Sequence, residues 1–229
     1  MLGRGRLYIW FIAGFATILA GFWPSFYGDP HSNDAWHTVH GVAATLWVLL
    51  LVTQSLLIGR GARRLHERLG WCSLGLFAVL LVTITYMIWV EMTGPEPFPP
   101  VIRQQLVFID ITFLMLFASV YGLALAFRRT PQLHARLMGS TILIAMGPAL
   151  GRLYAHNIPQ LKGLSGALPL SVLTIVAILI VASFIAYRRR DALRPLPALL
   201  AAFVLIQFGM VWSQGETFAN LLRAAGSPI

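Results

Sequence analysis

The sequence predicts an all-α bundle of seven transmembrane helices, and three observations carry that prediction. Hydrophobic residues make up 58% of the chain and charged residues only 11%, with a mean hydropathy of +0.75; a soluble domain averages about a quarter charged residues. Apolar runs of about 20 residues recur, each long enough to cross roughly 30 Å of hydrocarbon as a helix. The runs are continuous rather than alternating with period two, which argues against a membrane barrel.

The first span, near Leu7–Tyr27, follows Arg4 and Arg6. No convincing small-x-small cleavage site precedes Trp23, so it reads as an uncleaved anchor. The second, Ala35–Ile58, opens on DAWHTVHG, which puts His37 and His40 at the mouth of an apolar run. The third, Leu69–Met92, begins near Cys72, whose position suggests simple packing. As the single cysteine, Cys72 permits no intrachain disulfide and no CxxC motif. The fourth, Gln104–Phe127, follows the proline-rich link GPEPFPPVIR (Gly94–Arg103), a stiff cap rather than a tether. NIPQLKGLSGALP (Asn157–Pro169) marks a break between the fifth span, Leu137–Ile158, and the sixth, Leu168–Tyr187. The seventh covers Pro195–Gln214, and the residues after Ser213 leave room for a short helix. With connections this short, residues 1–229 form one domain.

The net charge of +9 is a topology signal. Arginine clusters in alternate connections: Arg4 and Arg6; Arg60, Arg63, Arg64 and Arg68; Arg128, Arg129 and Arg136; Arg188, Arg189, Arg190 and Arg194. The intervening links hold Asp29, Asp34, Glu91 and Glu96, with Arg103 and Lys162 as their basic residues. The positive-inside rule then puts the N-terminus in the cytoplasm and the C-terminus in the periplasm. A charge so distributed speaks against nucleic-acid binding; the expected surroundings are the lipid bilayer of a bacterial inner membrane.

ARRLHERLGW (Ala62–Trp71) and TPQLHARLMG (Thr130–Gly139) echo each other through Leu-His-x-Arg-Leu and a following glycine. Both sit in basic turns that lead into the next span, and shared headgroup contacts account for the echo as readily as a repeated hairpin does. HxxHG at His37–Gly41, Trp47, Gln54, the LHERLG turn and RRTPQLHARLMG together resemble a group of uncharacterised bacterial seven-span membrane proteins. That resemblance, chiefly over the second to fifth spans, implies the fold and no activity. A looser similarity connects such bundles with membrane b-type cytochromes, although the paired-histidine spacing of a two-haem cytochrome is not cleanly present.

His37 and His40, at i and i+3, share one helix face, and His40, Trp47 and Gln54 continue it at intervals of seven. Such a stripe should look into the bundle rather than at lipid. Asp110 on the fourth span and Arg152 on the fifth each fall about 9 Å below the outer end at 1.5 Å per residue. Each alone would cost several kcal/mol in hydrocarbon, so they are expected to form a buried ion pair. His156 follows Arg152 by four residues on the same face, Tyr154 points away from that face, and Gln214 and Glu216 end the seventh span on the same side.

These positions suggest a periplasm-facing pocket. His40 and His156 could ligate a haem b, with Arg152 on a propionate and Trp47 packed below the ring. His37, His40 and His156 could instead hold a transition metal ion. Either reading implies a redox role and a redox partner. The alternatives are a small-molecule or proton transporter, for which the inner half offers few polar residues, and a non-catalytic assembly or receptor-like protein. His66 and His134 could form a second, cytoplasmic site. No GxSxG motif and no phosphate-binding glycine loop is present.

Overall fold

The computed structural model describes residues 7–29, 31, 33–95, 98–161, 164–189 and 194–228. Arg4, Arg6, Glu96, Lys162 and Arg190 lie outside them. The described residues are mostly helical and hold no strand: α1 (Leu7–Phe22), α2 (Ala35–Gly59), α3 (Arg63–Gly70), α4 (Cys72–Thr93), α5 (Pro100–Ala126), α6 (Pro131–Asn157), α7 (Leu164–Arg188), α8 (Leu196–Trp212) and α9 (Glu216–Ala224). A π-helical turn, Trp23–Tyr27, extends α1, and a 3-10 turn, Pro159–Leu161, precedes α7.

Six helical stretches are long and apolar enough to cross a membrane: Tyr8–Tyr27, Ala35–Gly59, Arg63–Thr93, Pro100–Ala126, Pro131–Asn157 and Gly166–Arg188. The seventh expected crossing differs. Helix α8 has only 17 residues, and α9 leaves it at 88° across Ser213–Gly215, so the pair makes a seventh span only when taken together. Lipid-facing positions fit the membrane reading: Val82, Met115, Phe184, Leu205 and Phe208 all point outward and are exposed.

Helix α6 is the least apolar of the six, with a mean hydropathy of 1.2, yet 61% of its window is buried. A helix enclosed by protein can carry small and polar residues that lipid would penalise. Helices α1, α2, α4, α5 and α6 each pack on the next, and α6 returns to α1, closing a ring; α7 lies outside against α6, and α8 against α7 and α5. Two glycines set the spacing. A Cβ on Gly21 would stand 2.2 Å from the Ala149 carbonyl oxygen, and one on Gly147 would stand 2.3 Å from the Phe113 ring. Trp47, Phe117 and Tyr121 are buried inside the ring; Trp47 meets the other two edge-on at 5.0 and 5.2 Å.

One end of the bundle gathers the arginine-rich connections, where the Arg136 guanidinium donates to the Arg194 carbonyl at 3.1 Å. At the other end α9 packs back on α5: Phe218 and Leu222 bury against Val107, and Phe108 faces Phe218 at 5.9 Å. Trp36 of α2 stacks on Tyr86 of α4 at 4.3 Å at this end, beside exposed Trp89, a placement suited to an interfacial aromatic belt.

Three local expectations change. The polar stretch RRLHERLG forms its own short helix, α3, before the apolar run resumes at Cys72. Cys72 is exposed rather than packed in the interior, because it sits at the bundle's edge just past the α3–α4 break. The expected break through Pro169 ends sooner: α7 is helical from Leu164 and carries Pro169 inside, near its start. Pro169 is the sixth residue of α7, so it gives up one hydrogen bond of the early turns and leaves the rest of the helix to continue.

Candidate functional site

Helix α2 is anchored where the site begins. Asp34 caps it, accepting from the His37 amide at 2.9 Å, and its other carboxylate oxygen lies 2.8 Å from His37 Nδ1. The His37 amide, then the His37 side chain, hold the Asp34 carboxyl below the usual range. His37 itself is exposed. One turn on, His40 points inward and pairs through Nδ1 with Thr83 Oγ1 of α4 at 3.1 Å. The interval of seven then brings Trp47, whose indole N–H donates to Thr141 Oγ1 of α6 at 3.3 Å, and Gln54, whose Oε1 is buried without a partner. The stripe therefore faces the ring interior, as its spacing predicts.

Asp110 and Arg152 approach closely enough to sense each other's charge, and Arg152 also senses Glu91. The expected direct ion pair does not form. The Arg152 guanidinium lies instead over the Phe22 ring, 4.6 Å from its centroid, with one long hydrogen bond, 3.5 Å, from Nη1 to the Pro148 carbonyl of its own helix. No described residue donates a hydrogen bond to Asp110. Helix rotation explains the gap: α1 and its π-helical extension bring Phe22 onto the face of α6 that Arg152 occupies, and stacking on an aromatic face is a natural rest position for guanidinium. Near this end of the ring His40 and Thr83 join α2 to α4, and Arg152 and Phe22 join α6 to α1.

His156 joins neither pair. Its Nδ1 lies 2.8 Å from the Arg152 carbonyl, one turn back, and the ring is exposed. The metal set His37, His40 and His156 is therefore not assembled, and among the described residues no three His, Cys, Asp or Glu side chains group as a metal site. Trp47 is enclosed by protein rings, which leaves it packing the core rather than lying under a cofactor. Tyr154 turns away, as expected, to hydrogen-bond Thr174 of α7 at 3.0 Å. Gln214, just past α8, donates to the Met210 carbonyl of that helix at 3.3 Å, and Glu216 pairs with Arg223 at 3.0 Å, so both are used within the α8–α9 segment.

Sequence reasoning missed Phe22, Thr83 and the full part of Arg103. Arg103 is buried to 4% exposure, donating from Nε to the Glu91 carbonyl at 2.6 Å and from Nη2 to the Gly94 carbonyl at 2.7 Å. It thereby satisfies the last carbonyls of α4. Arg103 lies in the first turn of α5, across a loop from the end of α4, and neither that reach nor a phenylalanine beneath an arginine from another helix is legible in the sequence. Comparison with protein-family models finds no match to the chain, and neither does comparison with curated proteins or with solved structures.

Proposed function

We propose that this chain is a multi-pass protein of a bacterial inner membrane, N-terminus in the cytoplasm and C-terminus in the periplasm, that binds a small carboxylate-bearing ligand among His40, Asp110 and Arg152. The observation that carries the reading is Arg152: a cation within a membrane span, stacked on Phe22, with a single long hydrogen bond and no ion pair to Asp110. Opposite charges left unjoined in a low-dielectric setting favour a polar group between them. A guanidinium fork suits a carboxylate, and Asp110 and His40 can take donors on the same ligand.

A bis-histidine haem has less support at this end of the bundle, because His156 is exposed with its Nδ1 on the Arg152 carbonyl and His40 pairs with Thr83. Through-transport has less support than binding, since Trp47, Phe117 and Tyr121 fill the ring below. Thermal unfolding of the detergent-solubilised protein, titrated with acetate, succinate and a neutral amino acid, tests the reading. At least one probe should raise the melting temperature, as a ligand of the folded state must. Arg152→Gln should erase that shift, and Arg152→Lys should weaken it. Shifts that are absent, or equal in wild type and Arg152→Gln, would overturn it.

A further inference from the structure

The basic end of the bundle holds a second constellation, independent of the ligand reading above. His66 of α3 and His134 of α6 come from the two echoed Leu-His-x-Arg-Leu segments, and the fold brings their rings to a centroid separation of 6.4 Å with planes at 89°. His134 Nδ1 lies 2.8 Å from the Ala124 carbonyl at the end of α5. A carbonyl can only accept, so that nitrogen carries the proton and the Nε2 lone pair is left free. His66 Nδ1 is buried without a hydrogen-bond partner. Gln54 Oε1 is likewise buried and unpartnered, and the Gln54 side-chain amide nitrogen lies 3.9 Å from where a Cβ on Gly70 would sit, one turn beyond His66 on α3.

The two rings face each other with an unused nitrogen on each, and His134 has the outer-shell carbonyl that orients a metal-ligating histidine. The separation matches two imidazoles on opposite sides of one metal: with metal–nitrogen bonds of about 2.0–2.1 Å their ring centroids stand about 6.4 Å apart, and a tetrahedral ion would draw the rings about 1 Å closer. Arg63 and Glu67, the charges flanking His66, pair with each other at 2.9 Å and so largely cancel.

We infer that His66 and His134 bind a first-row transition-metal centre at the basic end of the bundle, either a free divalent cation or the iron of a haem. Neutral imidazole suits zinc, nickel, copper and iron alike. No third His, Cys, Asp or Glu is grouped with the pair among the described residues, so for a free ion water, or Gln54 Oε1, completes the coordination.

The test uses the full chain in detergent, purified through a tag free of histidine. Metal analysis and an absorption spectrum of the protein as isolated come first, followed by titration of the EDTA-treated protein with Zn2+ and Ni2+. A Soret band lost in both His66→Ala and His134→Ala assigns haem iron. Without that band, one equivalent of bound cation, weakened at least tenfold in each variant and unaffected by His40→Ala, assigns a free ion. Should an alanine variant fail to fold, His66→Gln and His134→Gln keep a polar side chain of similar size, and affinity unchanged in both would place the cation elsewhere. Protein that is colourless and binds neither cation, or that binds equally well in both variants, would overturn the inference.

Discussion

Asp34 joins the sequence to the site through one side chain. It caps α2 by accepting the His37 amide, and that helix carries His40 inward. Asp34→Ala should cost the first turn about 0.5–2 kcal/mol, whereas asparagine keeps most of the cap. Amide hydrogen exchange at residues 36–38 reads this directly, with exchange faster in Asp34→Ala and near wild type in Asp34→Asn. The carboxyl is held below the ordinary aspartate range, so its extra contribution is complete above about pH 4 and fades as pH falls through the depressed value. The gap between wild type and Asp34→Asn should accordingly close in acid. At this scale the sequence marks which residues are unusual and not whom they meet. Asp110 and Arg152 stand out as charges in apolar runs, but a single sequence does not contain the rotation that turns Arg152 onto Phe22. His40 and Trp47 face inward as the interval of seven requires, while their partners Thr83 and Thr141 look like ordinary helical threonines.

Among the elements, α6 governs the packing. Its approach to α1 depends on Gly21, where an added Cβ would meet the Ala149 backbone rather than a movable side chain. Gly21→Val should therefore push the helices apart and destabilise the fold by about 1–3 kcal/mol, as overpacking generally does. Gly75→Ala on α4 has open space and is the matched control; it should leave the melting temperature in detergent unchanged or slightly raised. Equal melting temperatures for the two variants would mean that α1 does not pack tightly on α6. The apolar runs of the spans were legible from length and composition. Their ends were less so, because polar residues such as those of Arg63–Gly70 continue helical beyond the hydrocarbon-like run, and because Pro169 is tolerated within the first turns of α7.

For the whole molecule, six stretches are long and apolar enough to cross a membrane and α8 with α9 adds a seventh only as a pair, so parity decides the side on which α9 lies. The proposed layout takes the pair as a crossing. Helix α8 starts at the basic end, where Arg136 holds the Arg194 carbonyl, and Trp212 at its far end faces Phe108 of α5 at 6.4 Å. Phe108 lies near the start of α5, whose opposite end runs into the arginine turn. Seventeen residues at 1.5 Å each make about 26 Å, slightly short of the hydrocarbon, and tilt or local thinning accommodates such a mismatch at modest cost. Helix α9 then lies across the end as an amphipathic cap with Phe218 and Leu222 turned inward. Alkaline phosphatase, which matures only outside the cytoplasm, distinguishes the layouts. Fused after residue 228 it should be active, and fused after Arg189 it should be inactive. Activity at Arg189 with none at residue 228 would invert the molecule and move the His40 end to the cytoplasm. Equal inactivity at both would show that α8 turns back without crossing, leaving α9 on the side of the arginines.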